Sequence, residues 1–317
     1  MIEILSAWYV IPAAAGLDLL LGDPLWLPHP VRLMGLAAER AEKVLRSLVK
    51  NPFTAGLIFA AVLVCSAYLA SVCLVFTAGL IHPAVKIICE IILLYTCLSA
   101  RCLYTEAKKV HAALVSGETN KARALVAMLV SRDTGEMDEA GLSRAAVETV
   151  AENFVDGVLS PLFFAIVLGA PGAIAFKMIS TLDSMTGYRT KRYEQFGKTA
   201  ARIDDAANWI PARLSVPIIS AAAQITCRTG GRSFATAIFE GKNHKSPNAG
   251  LSEAAFAGAL GVRLIGPGIY NGKLIEKPWI GAAFPLPGRD HIISAARLML
   301  ASTIFGVFIL SMGLCLF

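Results

Sequence analysis

FTAGLIFAAVLVCSAYLASVCLVFTAGLI, residues 53–81, carries no charged side chain from end to end. As a helix rising about 1.5 Å per residue it reaches roughly 40 Å, more than the ~30 Å hydrocarbon core of a bilayer. It is therefore read as a transmembrane helix. Outward from it, His82-Pro83 breaks the run and a second apolar stretch continues to Ala100, which predicts a helical hairpin. Lys86 and Glu90 lie four apart on one face of that second run and are expected to pair, because intramembrane charges need partners. On the other side, residues 36–50 place Arg40, Lys43, Arg46 and Lys50 on one side of an amphipathic surface helix.

The rest of the chain repeats the pattern. Residues 4–21 lack the basic leader and small-residue cleavage site of a secretory signal and read as a retained first helix. Further apolar helices are expected over 210–227, opened by Pro211 and containing Pro217, and over 293–317. Hydrophobic residues make up 56% and charged residues 16% of the 317 residues, and the mean hydropathy is +0.61. Soluble domains run nearer a quarter charged, so an ordinary soluble fold is excluded. The expectation is one all-α domain over 1–317, a polytopic integral membrane helical bundle. It carries a cytoplasmic insert of amphipathic helices at about 101–158 and polar loops at about 181–208 and 228–292. Within 159–180, Pro161 and Gly169-Ala170-Pro171-Gly172 interrupt an apolar run. A re-entrant pair of half-helices there keeps the basic loops on either side facing one compartment. The net charge of +6 fits the Lys/Arg excess of cytoplasmic loops. Without a basic tail or a nucleic-acid motif it gives no reason to expect a nucleic-acid partner. Seven cysteines, most in apolar runs and none in a CxxC, read as buried free thiols.

Four segments carry chemistry. TLDSMTGYRTKRYEQFGKTAARIDDAANWIPARL, residues 181–214, mixes Asp183, Arg189, Lys191, Arg192, Lys198, Arg202, Asp204 and Asp205 with Tyr188, Tyr193, Phe196 and Trp209. Clustered cations suit phosphate oxygens and paired carboxylates suit a hard divalent ion. The alternative is a solvated basic loop at a membrane surface. In DLLLGDPLWLPHPVRLMG, residues 18–35, the prolines hold Asp23, His29 and Arg32 on a stiffened turn, or simply form an interfacial turn anchored by Trp26. AVETVAENFVDGVLSPLFF, residues 146–164, stacks Glu148, Glu152 and Asp156 at four-residue spacing, with Asn153 beside them. Such a column needs opposing cations, from Lys/Arg or a metal, unless it is merely solvated. GKNHKSPNAGLSEAAFAGALGVRLIGPG, residues 241–268, offers Asn248 and Glu253, with Ser252 or Asn248 able to cap the helix that follows.

TLDSMTGY, RYEQFG and ARIDDAANWIPARL closely resemble the membrane-bound adenosylcobinamide-phosphate synthases of cobalamin biosynthesis, the CbiB/CobD family. The DP…HPVR, ETVAEN and SPNAG stretches extend the resemblance over nearly the whole chain. It implies an amide ligase that joins adenosylcobyric acid to (R)-1-aminopropan-2-ol O-phosphate, or to aminopropanol, at the expense of ATP with Mg²⁺. A carboxylate cannot lose oxide at neutral pH; phosphoryl transfer turns that oxygen into a leaving group. The resemblance places the active site on the cytoplasmic side of the inner membrane. Glu148, Glu152, Asp204 and Asp205 are then expected to hold Mg²⁺ or to deprotonate the amine. Arg189, Arg192, Lys198, Arg202 and Arg213 are expected to hold phosphate. Asn248 and Glu253 would orient substrate, joined by Asp23, His29, Arg32, Asn153, Asp156, Asp183 and Asn208, while Tyr188, Trp209 or Tyr270 would support the corrin ring. No standard nucleotide motif helps: Gly197-Lys198-Thr199 resembles the end of a P-loop, but its first glycine position holds Arg192. No HExxH or GxSxG occurs. The rival expectation is a transporter or membrane sensor that binds a corrinoid or other anion without turnover, favoured by the broken apolar runs and the Lys86–Glu90 pair.

Overall fold

The computed structural model describes residues 6–24, 29–187, 190–270 and 272–315; Trp26, Tyr188 and Arg189 fall outside these described residues. The helices in chain order are α1 (Val10–Leu21), α2 (Pro30–Leu48), α3 (Pro52–Ile81), α4 (Pro83–Tyr95), α5 (Ala100–Val115), α6 (Thr119–Ala127), α7 (Glu139–Phe154), α8 (Ser160–Thr186), α9 (Lys198–Ala207), α10 (Trp209–Cys227), α11 (Gly230–Glu240), α12 (Ala249–Leu260) and α13 (Asp290–Cys315). A π-helical turn, Val155–Leu159, joins α7 to α8. Five stretches of the described chain are long and apolar enough to cross a membrane: Pro52–Ile81, Pro83–Val115, Glu139–Thr186, Trp209–Cys227 and Asp290–Gly313. The protein is an all-α polytopic membrane protein.

The chain forms two compact units, one from Met1–Ser99, Asp156–Asn208 and Val307–Phe317, the other from Ala100–Val155 and Trp209–Gly306. In the first, α2, α3 and α4 all begin in the same way. The side chain of the residue before the helix accepts backbone N–H groups and a proline takes the first helical position. His29 Nδ1 accepts from Val31, Asn51 Oδ1 from Phe53 and Thr54, and His82 Nδ1 from Ala84. Proline fits there because its missing N–H has no intrahelical acceptor to lose. Leu57, Val62, Leu69, Leu74, Phe76 and Leu80 of α3 stay exposed, which is stable only against lipid. The expected Lys86–Glu90 pair forms at 3.9 Å, with Glu90 buried.

The interrupted run folds back on itself. The Phe164 and Phe176 rings stack with centroids 5.3 Å apart, whereas twelve residues of straight helix would separate them by about 18 Å. The reversal occurs at Gly169, at φ 70° and ψ −175°, a conformation open essentially to glycine alone. The Ala170 N–H freed at the break donates to Ser6 Oγ. This is the half-helix pair that the proline and glycines of 159–180 led one to expect.

The second unit begins with α5, α6 and α7, and Asp138 Oδ1 caps α7 at Gly141 N–H. Within 228–292, expected as a long polar loop with an apolar helix after the SPNAG turn, that helix is α12, and α11 and two small antiparallel ribbons form as well. β1 (Leu264–Ile265) pairs with β4 (Trp279–Ile280), and β2 (Gly268–Tyr270) with β3 (Lys273–Ile275). Small residues explain the difference, because a Cβ at Gly258 would run into the Arg232 carbonyl and the Thr236 side chain. With glycine there, α11 and α12 pack closely enough for Arg232 to donate to the Gly258 and Ala259 carbonyls that end α12.

Candidate functional site

Glu148 stands on the buried face of α7, 4% exposed. Arg132, from the segment before α7, donates through Nη2 to Glu148 Oε2. The Ile265 N–H donates to Oε1 at 2.5 Å, and Arg144 lies one turn earlier with Nε 3.8 Å from Oε1. The cations that face Glu148, the first acid of the column, are thus arginines. Both Glu148 oxygens are engaged, which leaves this carboxylate poorly fitted to a metal. Arg132 also donates to the Tyr270 hydroxyl at 3.0 Å, which accepts from Lys277 Nζ at 2.8 Å. The guanidinium groups of Arg144 and Arg263 lie 5.0 and 4.7 Å from the Trp279 ring centroid.

Positive charge exceeds what this cluster neutralises. Among the described residues, Arg132 Nη1, Arg144 Nε and Arg263 Nε are buried and make no hydrogen bond. A buried charged donor without an acceptor costs several times a neutral one, so these groups are suited to receive an anion. The SPNAG turn enters the same unit beside them. Ser246 Oγ accepts the N–H groups of Asn248 and Ala249, so Ser246 opens α12; the Asn248 side chain makes no capping bond. Asn248 and Glu253 are both buried. His244 Nδ1 lies 3.0 Å from the Ser246 N and 3.4 Å from its carbonyl oxygen, and Nε2 is 3.9 Å from Glu253 Oε2.

Burial, and then the neighbouring Glu152 and Glu148 charges, push the Glu253 carboxyl well above the usual carboxylate range; burial lowers His244. A raised acid stays protonated in the folded state over a window in which the unfolded chain has released its proton. Stability attached to Glu253 therefore falls as pH rises above about 4.5. Glu253→Gln keeps the neutral form permanently. It is expected to melt higher than the parent by about 2 °C or more at pH 8, with the difference shrinking toward pH 5. Fluorescence melting of the detergent-solubilised protein checks this, and equal melting at both pH values counts against a protonated Glu253.

Asn153 bonds back to the Thr149 carbonyl at 2.9 Å and Glu152 is exposed. Arg132, Arg144, His244, Arg263, Lys277 and Trp279 were not singled out from the sequence. Only Arg144, four residues before Glu148, left a legible signal.

The other expected residues lie in the first unit, apart from Trp209 and Arg213. Asp183, near the end of α8, is within electrostatic reach of Asp205 on α9. Asp204 Oδ2 accepts from Asn208 Nδ2 at 3.0 Å, and Asn208 Oδ1 accepts from Ser160 Oγ at 2.6 Å. Lys198 and Arg202 are exposed on α9 and form no ion pair among the described residues. Arg192 and Arg46 both bind Glu42, and Arg46 covers the Phe196 ring at 4.1 Å. Arg213 donates to the Trp209 carbonyl and stacks 4.0 Å above its ring. Asp23 pairs with His29 at 3.3 Å, and both line a cavity of about 260 Å³ with Arg32 and Lys177. Asp156 is half-buried in the π turn.

Among the described residues, no group of three or more His, Cys, Asp or Glu side chains gathers closely enough to hold a metal unaided. Magnesium asks less, since it is bound by one or two carboxylates and completes its shell with water and substrate phosphate. Asp183 and Asp205, within electrostatic reach of one another, are two carboxylates of the kind that requirement names.

A family model described as "CobD/Cbib protein" matches residues 11–299. Relatives named "Cobalamin biosynthesis protein CobD" include one from Geobacter metallireducens, 45% identical over 87% of each chain. Another, from Desulfotalea psychrophila, is 41% identical over 95% of this chain and 94% of its own. One from Klebsiella pneumoniae is 40% identical over 93% and 92%. No solved structure matches. With the match running through α1 to α13 and including every segment of the candidate site, the chain belongs to the CobD/CbiB family.

Proposed function

We propose that this protein acts in cobalamin biosynthesis as an ATP-dependent amide ligase. It joins adenosylcobyric acid to (R)-1-aminopropan-2-ol O-phosphate, or to aminopropanol, at the cytoplasmic side of the inner membrane. The family match and the name its relatives carry support the pathway. The observation that carries the reaction is the set of buried arginine N–H donors around Glu148 that lack acceptors. A ligase of this kind must hold anionic carboxylate and phosphoryl oxygens out of water, where oriented guanidinium groups stabilise developing charge.

Arg132, Arg144 and Arg263 receive the anionic group, and Glu148 positions the first two. Glu152, exposed on α7, accepts the proton that the ammonium must lose. Glu253, which burial holds in its protonated form, is the acid beside it. Asn248 orients substrate. Asp183 and Asp205 would hold magnesium, Asp204 and Asn208 bond each other at the end of the same helix, and Lys198 and Arg202 on that helix would meet phosphate. Nucleotide and magnesium supply the phosphoryl group that makes the carboxylate oxygen a leaving group.

Purified protein in lipid nanodiscs, given cobyric acid, the amino alcohol phosphate and Mg-ATP, is expected to form amide product and to stop when any one component is omitted. Asp205→Ala is expected to slow product formation at least tenfold; an unchanged rate removes Asp205 from the site. The broken α8 hairpin also occurs in transporters. Tight corrinoid binding without turnover would select that reading and reject the ligase.

A further inference from the structure

We propose that the Tyr270 hydroxyl is a catalytic donor, meeting the oxygen on which negative charge develops during amide formation, with Lys277 as its positioning residue. The ribbon that carries Tyr270 is held by its backbone on either side of the ring. The Asp133 N–H donates to the Ile269 carbonyl at 3.0 Å, and the Gly272 N–H donates to Asp133 Oδ2 at 2.7 Å. The ring itself is half-buried at the end of β2. Its oxygen accepts from Arg132 Nε at 3.0 Å and from Lys277 Nζ at 2.8 Å. Arginine and lysine can only donate, so both bonds use the oxygen and neither uses its proton. Among the described residues nothing accepts that proton.

The hydroxyl stands among donors rather than acceptors. Arg132, to which it is bonded, keeps Nη1 buried and unpartnered; Arg144, whose Nε is also unpartnered, lies within electrostatic reach of the Tyr270 oxygen. Such a set suits an oxyanion, and the tyrosine adds what the arginines cannot. A guanidinium attracts an anionic reactant before the reaction as well as during it. A neutral O–H bonds a carbonyl oxygen modestly and an oxyanion about twice as strongly, so its contribution is concentrated in the transition state. The two N–H bonds on its oxygen strengthen it further, because chained hydrogen bonds polarise one another. In the step itself the amine nitrogen bonds to the activated carboxyl carbon while the C=O pair moves onto oxygen. That pair then returns and the bond from carbon to the phosphate oxygen breaks. Tyr270 donates to the charged oxygen in between and keeps its proton. This role deepens the ligase reading proposed above and rests on it.

Steady-state kinetics of the full chain in nanodiscs, with cobyric acid, the amino alcohol phosphate and Mg-ATP, test it. Tyr270→Phe is expected to lower kcat about 100-fold. The KM for the amino alcohol phosphate should stay within about threefold of the parent, and melting within about 3 °C, since the backbone bonds of the ribbon remain. Lys277→Met is expected to lower kcat about tenfold, and to cost nothing more once Tyr270 is phenylalanine, because it acts through the hydroxyl. A parent-like kcat in Tyr270→Phe overturns the assignment, as does a raised KM at unchanged kcat. Losses that multiply in the double variant overturn the positioning role of Lys277. Should Tyr270→Phe not fold, an unchanged kcat in Lys277→Met overturns the pair. A parent that forms no amide sinks the ligase reading and this role with it, whereas amide formed equally well by parent and Tyr270→Phe sinks this role alone.

Discussion

Glu148→Ala is expected to cost more than any other single change in the candidate site. The carboxylate is 4% exposed and faces Arg132, Arg144 and the Ile265 N–H. Removing it strands two buried guanidinium groups and a backbone donor in a space that water does not readily fill. Breaking a buried ion pair from one side costs about 3–5 kcal/mol, which on that scale leaves little folded membrane protein after extraction. Glu148→Gln separates packing from charge. Its amide oxygen can still accept the Ile265 N–H, while the charge that orients Arg132 is gone. The glutamine protein keeps the side-chain volume and one acceptor, so it is expected to melt between the parent and Glu148→Ala and to lose amide formation at least a hundredfold. Full activity in Glu148→Gln would mean that Arg132 and Arg144 do not need this partner to meet substrate.

The second large effect belongs to Gly169, where α8 reverses. At φ 70° and ψ −175° an added Cβ is strained whatever space surrounds it, and backbone forced into such a region costs about 1–3 kcal/mol. Straightening the helix instead would separate Phe164 from Phe176 and take Ala170 N–H away from Ser6. Either route destabilises the fold-back, so Gly169→Ala is expected to lower the melting temperature by about 5 °C or more. The control is Gly231→Ala: Gly231 lies in α11 with nothing within 4 Å of a built Cβ. There alanine gains up to about 1 kcal/mol of helix propensity, and melting should stay level or rise. If the two substitutions behave alike, the reversal at Gly169 does not bear on stability.

Which parts of this could be read from the residues follows from the range of each interaction. An uncharged run such as 53–81 announces its helix locally. So do the cap-and-proline starts at Asn51-Pro52 and His82-Pro83, and the Gly169–Gly172 break. The i,i+4 pair Lys86–Glu90 is legible for the same reason. The site is less so. Glu148 and Glu253 stood out as acids in apolar surroundings, yet the groups facing them come from far along the chain. Arg132 and Tyr270 are brought together across 138 positions, and Ile265 reaches Glu148 across 117. No periodicity records such contacts. In segment 228–292 the helix after the SPNAG turn was legible, but α11 and the two ribbons were not, because the polar composition around them reads as loop.

Isotope labelling tests the ligase chemistry most directly. Cobyric acid carrying ¹⁸O in its free carboxyl group, turned over by the purified protein with Mg-ATP and the amino alcohol phosphate, should pass one ¹⁸O to the inorganic phosphate released with each amide formed. Amide formed without ATP, or phosphate that gains no label while product accumulates, would contradict activation of the carboxylate by phosphoryl transfer.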